Sequence, residues 1–136
     1  QLFDQVIQVL NGKDYEPPKK SLGSFVYGEI KSKGTEYFIN NYKKLLDDNG
    51  YEIENDMTLN ILGYNFLNQN MTDEAIAVLS LNVKLFPKIA NCYDSLGEAY
   101  MMSGNKSEAI KNYEIVLQMD PENRNAKMML EKLTSK

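Results

Sequence analysis

The residues that could do chemistry in this chain are few. There is no histidine, which removes the commonest general base and the commonest metal ligand together. The single cysteine, Cys92, can form neither a disulfide within the chain nor a cysteine-rich zinc site, and a packed thiol is the expected reading because its neighbour Asp94 is acidic where a reactive thiol needs positive charge. One Ser-x-x-Lys spacing, the arrangement in which a lysine can activate a serine nucleophile, occurs at Ser103-Gly104-Asn105-Lys106. It falls in an expected surface turn with no second basic motif, so we read it as accidental. The carboxylate pairs Asp47-Asp48 and Asp73-Glu74 fall at expected helix ends, where solvated charge explains them. The expectation is a chain with no catalytic, cofactor-binding or metal-binding residues.

The remaining composition is that of an ordinary folded domain: 136 residues, 43% hydrophobic and 25% charged. Fifteen Lys and Arg against nineteen Asp and Glu give net −4, which disfavours nucleic acid as a partner because phosphate binders need a clustered cationic face. No stretch is apolar enough to insert in a membrane, and the first residues lack the pattern of a signal peptide. Residues 1–11 already show helical periodicity (Leu2, Val6, Val9, Leu10), which reads as the end of a preceding domain.

The organising feature is an internal repeat. Gly63 and Gly97, Ala75 and Ala109, and Pro87 and Pro121 all stand 34 residues apart, defining ungapped copies at 56–89 and 90–123. Leu59 aligns with Tyr93, Leu62 with Leu96, Phe66 with Tyr100 and Leu79 with Tyr113. Each copy holds two amphipathic helical patterns. Asn70 and Gly104 sit between them, as residues that tolerate the left-handed conformation. The spacing predicts second helices opened by Thr72-Asp73-Glu74 and by an Asn105/Glu108 capping box, and stopped before Pro87 and Pro121. Asp120-Pro121 is expected to cap the final helix, with proline at its first position. Gly63, Gly97, Ala75 and Ala109 belong where paired helices approach most closely.

These residues resemble the tetratricopeptide repeat, whose 34-residue helix-turn-helix carries large–x2–Leu–Gly–x2–aromatic, then Ala–x3–aromatic, then Pro. The second copy follows it with Tyr93, Leu96, Gly97, Tyr100, Ala109, Tyr113 and Pro121; the first substitutes Leu59 and Leu79 for the large and aromatic residues. Residues 124–136 resemble the solvating helix that ends such arrays, with Ala126, Met129, Leu130 and Leu133 facing inward, and residues 20–48 read as a degenerate helical hairpin after a linker at 12–19. The fold implied is all-α, a right-handed superhelical array of antiparallel helix pairs with about seven to eight helices. The segment VLNGKDYEPPKKS, from Val9 to Ser21, is also similar to the C-terminal tails of bacterial serine hydrolases of the beta-lactamase and penicillin-binding type. That resemblance implies a periplasmic or cell-envelope setting and an accessory role in stability, dimerisation or substrate access.

In proteins of the repeat type the concave face is lined by set positions of each first helix. Here those positions hold Met57, Asn60, Ile61, Tyr64, Leu67 and Asn68, then Asn91, Asp94, Ser95, Glu98, Met101 and Met102. The basic residues with which the chaperone-tail clamp of such repeats holds a peptide carboxylate are absent from these positions. Asp94 and Glu98 instead favour a basic or amino-terminal group, with Ile61, Tyr64 and Leu67 as an apolar wall. The expected function is a non-catalytic interaction module binding a protein or peptide, or an upstream domain of the same polypeptide, on this face. The alternatives are the hydrolase tail and a surface that pairs two chains as a homodimer.

Overall fold

The structure is a computed structural model that describes residues 18–135, so the helix expected at 1–11 and most of the expected linker lie outside the described residues. Seven helices follow in order: α1 (Leu22–Lys33), α2 (Thr35–Asp48), α3 (Met57–Asn68), α4 (Thr72–Leu85), α5 (Ala90–Ser103), α6 (Lys106–Met119) and α7 (Arg124–Thr134). Local chemistry sets their ends. Ser21 caps α1 by accepting from the Ser24 N–H, and the only residue between α1 and α2 is Gly34, whose φ of 93° an L side chain rarely adopts. The α3–α4 and α5–α6 turns use the left-handed conformation at Asn70 (φ 58°) and Gly104 (φ 86°), the two positions that the sequence marks for it.

Three capping expectations need correction. Thr72 is the first residue of α4 and makes no cap; the preceding residue is Met71, and Asp73 and Glu74 favour the start through their charge alone. Asn105 does accept from the Glu108 N–H at 3.2 Å, but the Glu108 carboxylate turns to Lys111 at 3.0 Å, leaving half a capping box. Pro121 lies in a turn rather than at the head of α7, whose cap is Asn123, accepting from the Ala126 N–H at 2.9 Å, while Asp120 accepts from the Glu122 N–H within that turn. Both proline turns have the same length, so α5 and α7 start in the same place relative to Pro87 and Pro121. Asn123→Ala is expected to lower the stability of the domain by about 1 kcal/mol, measured by urea unfolding.

Packing is that of stacked antiparallel pairs: α1 on α2, α3 on α4, α5 on α6, with α7 against α6. The first helices α1, α3 and α5 touch in sequence, as do α2 and α4, so the array has an inner and an outer layer. The small residues lie at the close approaches. Cβ atoms built at Gly63 and Gly97 would stand 2.5 Å from Leu79 and 3.1 Å from the Tyr113 ring. Ala75 and Ala109 are fully buried, as are Leu59, Phe66, Leu79 and Tyr113.

One core runs from Val26 and Phe38 through Leu59, Phe66 and Leu79 to Leu96; a second gathers Ala109, Tyr113, Val116, Ala126 and Met129, and Tyr100 packs against both. The first hairpin joins the array through aromatic stacking, Tyr27 on Phe66 at 5.3 Å, and closes its own end with Phe25 on Tyr51 at 4.6 Å. The buried Asn82 amide donates to the Asp56 carbonyl at 2.9 Å, fixing the segment that enters α3. The fold is an all-α tetratricopeptide-type superhelical array.

Candidate functional site

The inner layer exposes one row of polar residues shared between helices. Tyr64 on α3 donates its hydroxyl to the Glu98 carboxylate on α5 at 2.6 Å, and the Ser95 hydroxyl donates to the Asn60 side-chain carbonyl at 2.5 Å. The Asn125 amide on α7 donates to both oxygens of Asp94, at 3.0 and 3.2 Å. Repeat geometry therefore brings five of the expected residues (Asn60, Tyr64, Asp94, Ser95, Glu98) into cross-helix contacts, with one residue that sequence reasoning missed. Asn125 could have been found, because it stands one further period beyond Asn91.

Around this row, Met57 and Ile61 are 61% and 56% exposed, an apolar ridge on α3 flanked by the exposed Asn68. Asn91 and Met102 are also exposed, while Met101 is half-buried against the second core. Two expected lining residues are not available. Leu67 and Ser95 are 3% and 1% exposed, because the flank of α3 that carries Asn60, Tyr64 and Leu67 is covered by α5. Leu67 is core, and Ser95 is a hydrogen-bonding support beneath Asn60.

The electrostatics of the row are one-sided. Glu98 and Asp94 are half-buried, lie one turn apart, and receive hydrogen bonds from neutral donors; neither has a cationic partner among the described residues. Burial pushes the Asp94 carboxyl above its ordinary value, the hydrogen bond from Asn125 opposing the shift and the nearby Glu98 charge adding to it. Burial, with the bond to Glu98, pushes the Tyr64 hydroxyl up to about 12, so it remains a donor at neutral pH.

A carboxyl that holds its proton more tightly folded than unfolded makes stability fall as pH rises through the carboxylate range. Asp94→Asn is accordingly expected to raise the melting temperature at pH 7, and the gain should vanish toward pH 3, as followed by thermal unfolding at both values. The alternative chemistry is not assembled. The Ser103 hydroxyl donates to the Tyr100 carbonyl at 2.7 Å in the exposed α5–α6 turn, and Cys92 is buried with its thiol pushed up to about 11 by burial and by Asp56. Among the described residues no group of three His, Cys, Asp or Glu forms a metal site.

Stacked helix pairs, the small residues at their crossings and the open inner face define a helical-repeat fold of the tetratricopeptide type. Residues 90–123 match the family model for the tetratricopeptide repeat. Human superkiller complex protein 3 is 33% identical over 60 residues, 44% of this chain, and the chain spans about 4% of that protein's length. Among solved structures, the second tetratricopeptide-repeat domain of human RPAP3, in complex with the HSP70 peptide SGPTIEEVD, has a TM-score of 0.58 at 22% identity over 83% of this chain and 92% of that one. The first such domain of Spaghetti (RPAP3), bound to the HSP90 peptide SRMEEVD, scores 0.58 at 24% over 83% and 89%. MamA scores 0.57 at 23% over 85% and 64%. At these identities the likeness to the solved structures is one of fold.

Proposed function

We propose that this chain binds an extended protein segment on its inner face and seats a lysine, arginine or free amino terminus of that segment against Asp94 and Glu98. The observation that carries the reading is the pair of half-buried carboxylates held by Tyr64 and Asn125 with no cation opposite them among the described residues. Retaining negative charge in a partly desolvated place costs stability, and an incoming cation would recover it. The two RPAP3 structures hold peptides ending in acidic residues. The inner-face positions here carry carboxylates, so we assign the opposite ligand charge on the same kind of scaffold. The accessory-tail alternative rests on Val9–Ser21, most of which lies outside the described residues.

The test uses acetylated, amidated decapeptides with one lysine in a neutral background, and the same peptides with glutamine in its place, titrated by calorimetry. Lysine peptides should bind about tenfold tighter than glutamine peptides, and the preference should shrink between 50 mM and 500 mM salt as screening grows. Equal affinity of the two sets would overturn the reading.

A further inference from the structure

The inner face carries a second feature that the acidic pair does not use. A furrow of about 620 Å³ opens between α1 and α3, lined by Ser21, Gly23, Ser24, Tyr27, Ile61 and Asn65. Its α1 wall is low because three of those residues are small, and even a Cβ built at Gly23 would meet nothing closer than Thr58 at 3.9 Å. Its floor is preformed. Tyr27 is stacked on Phe66 and donates its hydroxyl to the Gln69 side chain at 3.0 Å, so the ring cannot fold up to fill the space. The opposite rim is Ile61, a large aliphatic residue 56% exposed on the ridge of α3. Three residues further along α3, Tyr64 bonds Glu98. The furrow is thus continuous with the candidate site across a single helix.

We infer that this furrow is an apolar subsite for the same ligand, and that the segment recognised carries a large aliphatic side chain two or four positions from its cation. The inference rests on the acidic pair being the cation seat. Neighbouring packed helices are about 8–10 Å apart, so the α1–α3 furrow and the α3–α5 row are separated by about that distance. An extended chain advances roughly 3.3 Å per residue and turns alternate side chains to one face, which makes even separations of two or four the ones that reach both places. Asn65 and Asn68, exposed on the ridge between, offer amides to the main chain of a strand crossing it. The hairpin without a repeat signature thereby acquires a role, since α1 supplies one wall of the binding surface.

The experiment uses acetylated, amidated twelve-residue Gly/Ser peptides containing one lysine and one leucine at separations of one to six, measured by fluorescence anisotropy. Separations of two and four should bind about tenfold tighter than the lysine-only peptide, the effect of burying much of one aliphatic side chain. Ser24→Phe, which fills the furrow from an exposed position, should abolish that increment and leave lysine-only affinity unchanged, and Ile61→Ser, which removes its rim, should abolish the increment as well. Lysine-dependent binding that ignores leucine, or that neither variant alters, overturns the subsite while leaving the cation seat standing. Absence of lysine-dependent binding by every peptide overturns both. A peptide-free dimer that Ile61→Ser dissociates in sedimentation would make a second copy the occupant and also overturn the inference.

Discussion

Gly63→Leu is expected to lower the stability of the domain by about 3 kcal/mol, and Gly63→Ala by about 1 kcal/mol. The smaller change is the more instructive, because two effects oppose. Alanine is favoured over glycine in a helix by about 1 kcal/mol, so an exposed Gly→Ala change would stabilise. At this position the new Cβ would lie 2.5 Å from both Cγ and Cδ2 of Leu79, which is fully buried and cannot withdraw without moving α4. Overpacking of that kind costs about 1–3 kcal/mol and outweighs the propensity gain. At Gly97 the nearest atoms are the Tyr113 ring at 3.1 Å, a contact relieved by a few tenths of an ångström, so Gly97→Ala should be nearer neutral, with Gly97→Leu again costly. Urea midpoints rank the four variants. Combining Gly63→Ala with Leu79→Ala should cost less than the sum of the two single changes, since the truncated partner removes the clash. Unchanged midpoints for both leucine variants would mean that the glycines do not mark helix crossings.

The second large effect concerns binding. Glu98→Lys is expected to weaken the lysine peptides by about a hundredfold or more, because it removes one carboxylate and sets a like charge against the incoming cation. Glu98→Gln keeps an acceptor for the Tyr64 hydroxyl and removes only charge, so its loss should be about tenfold. Glu131→Lys, on the exposed surface of α7, changes the net charge of the chain by the same amount as Glu98→Lys and should leave affinity within about twofold. Calorimetry on the three variants separates local charge from the overall field. If Glu131→Lys weakened binding as much as Glu98→Lys, the seat would not be at Glu98.

Much of this architecture is legible in the sequence because each repeated residue has one mechanical duty. Gly63 and Gly97 permit the crossing, Asn70 and Gly104 permit the turn, and Pro87 and Pro121 stop the second helix. Where several residues could perform one duty, sequence alone chooses poorly. Asp120, Pro121 and Asn123 all qualify to open α7, and only the length of the proline turn selects Asn123.

The candidate face was partly legible for a related reason. Counting helix positions finds residues that meet between α3 and α5, but it does not see that Leu67 and Ser95 are buried there. The α1–α3 furrow left no repeat signal. With Gly34 as the whole connection between α1 and α2, the first hairpin departs from the 34-residue period, so its small and aromatic residues cannot be aligned with those of the later pairs.

The most direct measurement is amide chemical-shift mapping of the 15N-labelled chain as a lysine-containing decapeptide is added. Shifts should concentrate at Ile61, Tyr64, Asp94, Glu98 and Asn125 on the inner layer, and the outer faces of α4 and α6, around Lys84 and Lys111, should stay still. Shifts that gather instead on the outer helices, with Tyr64 and Glu98 unmoved, would contradict the account.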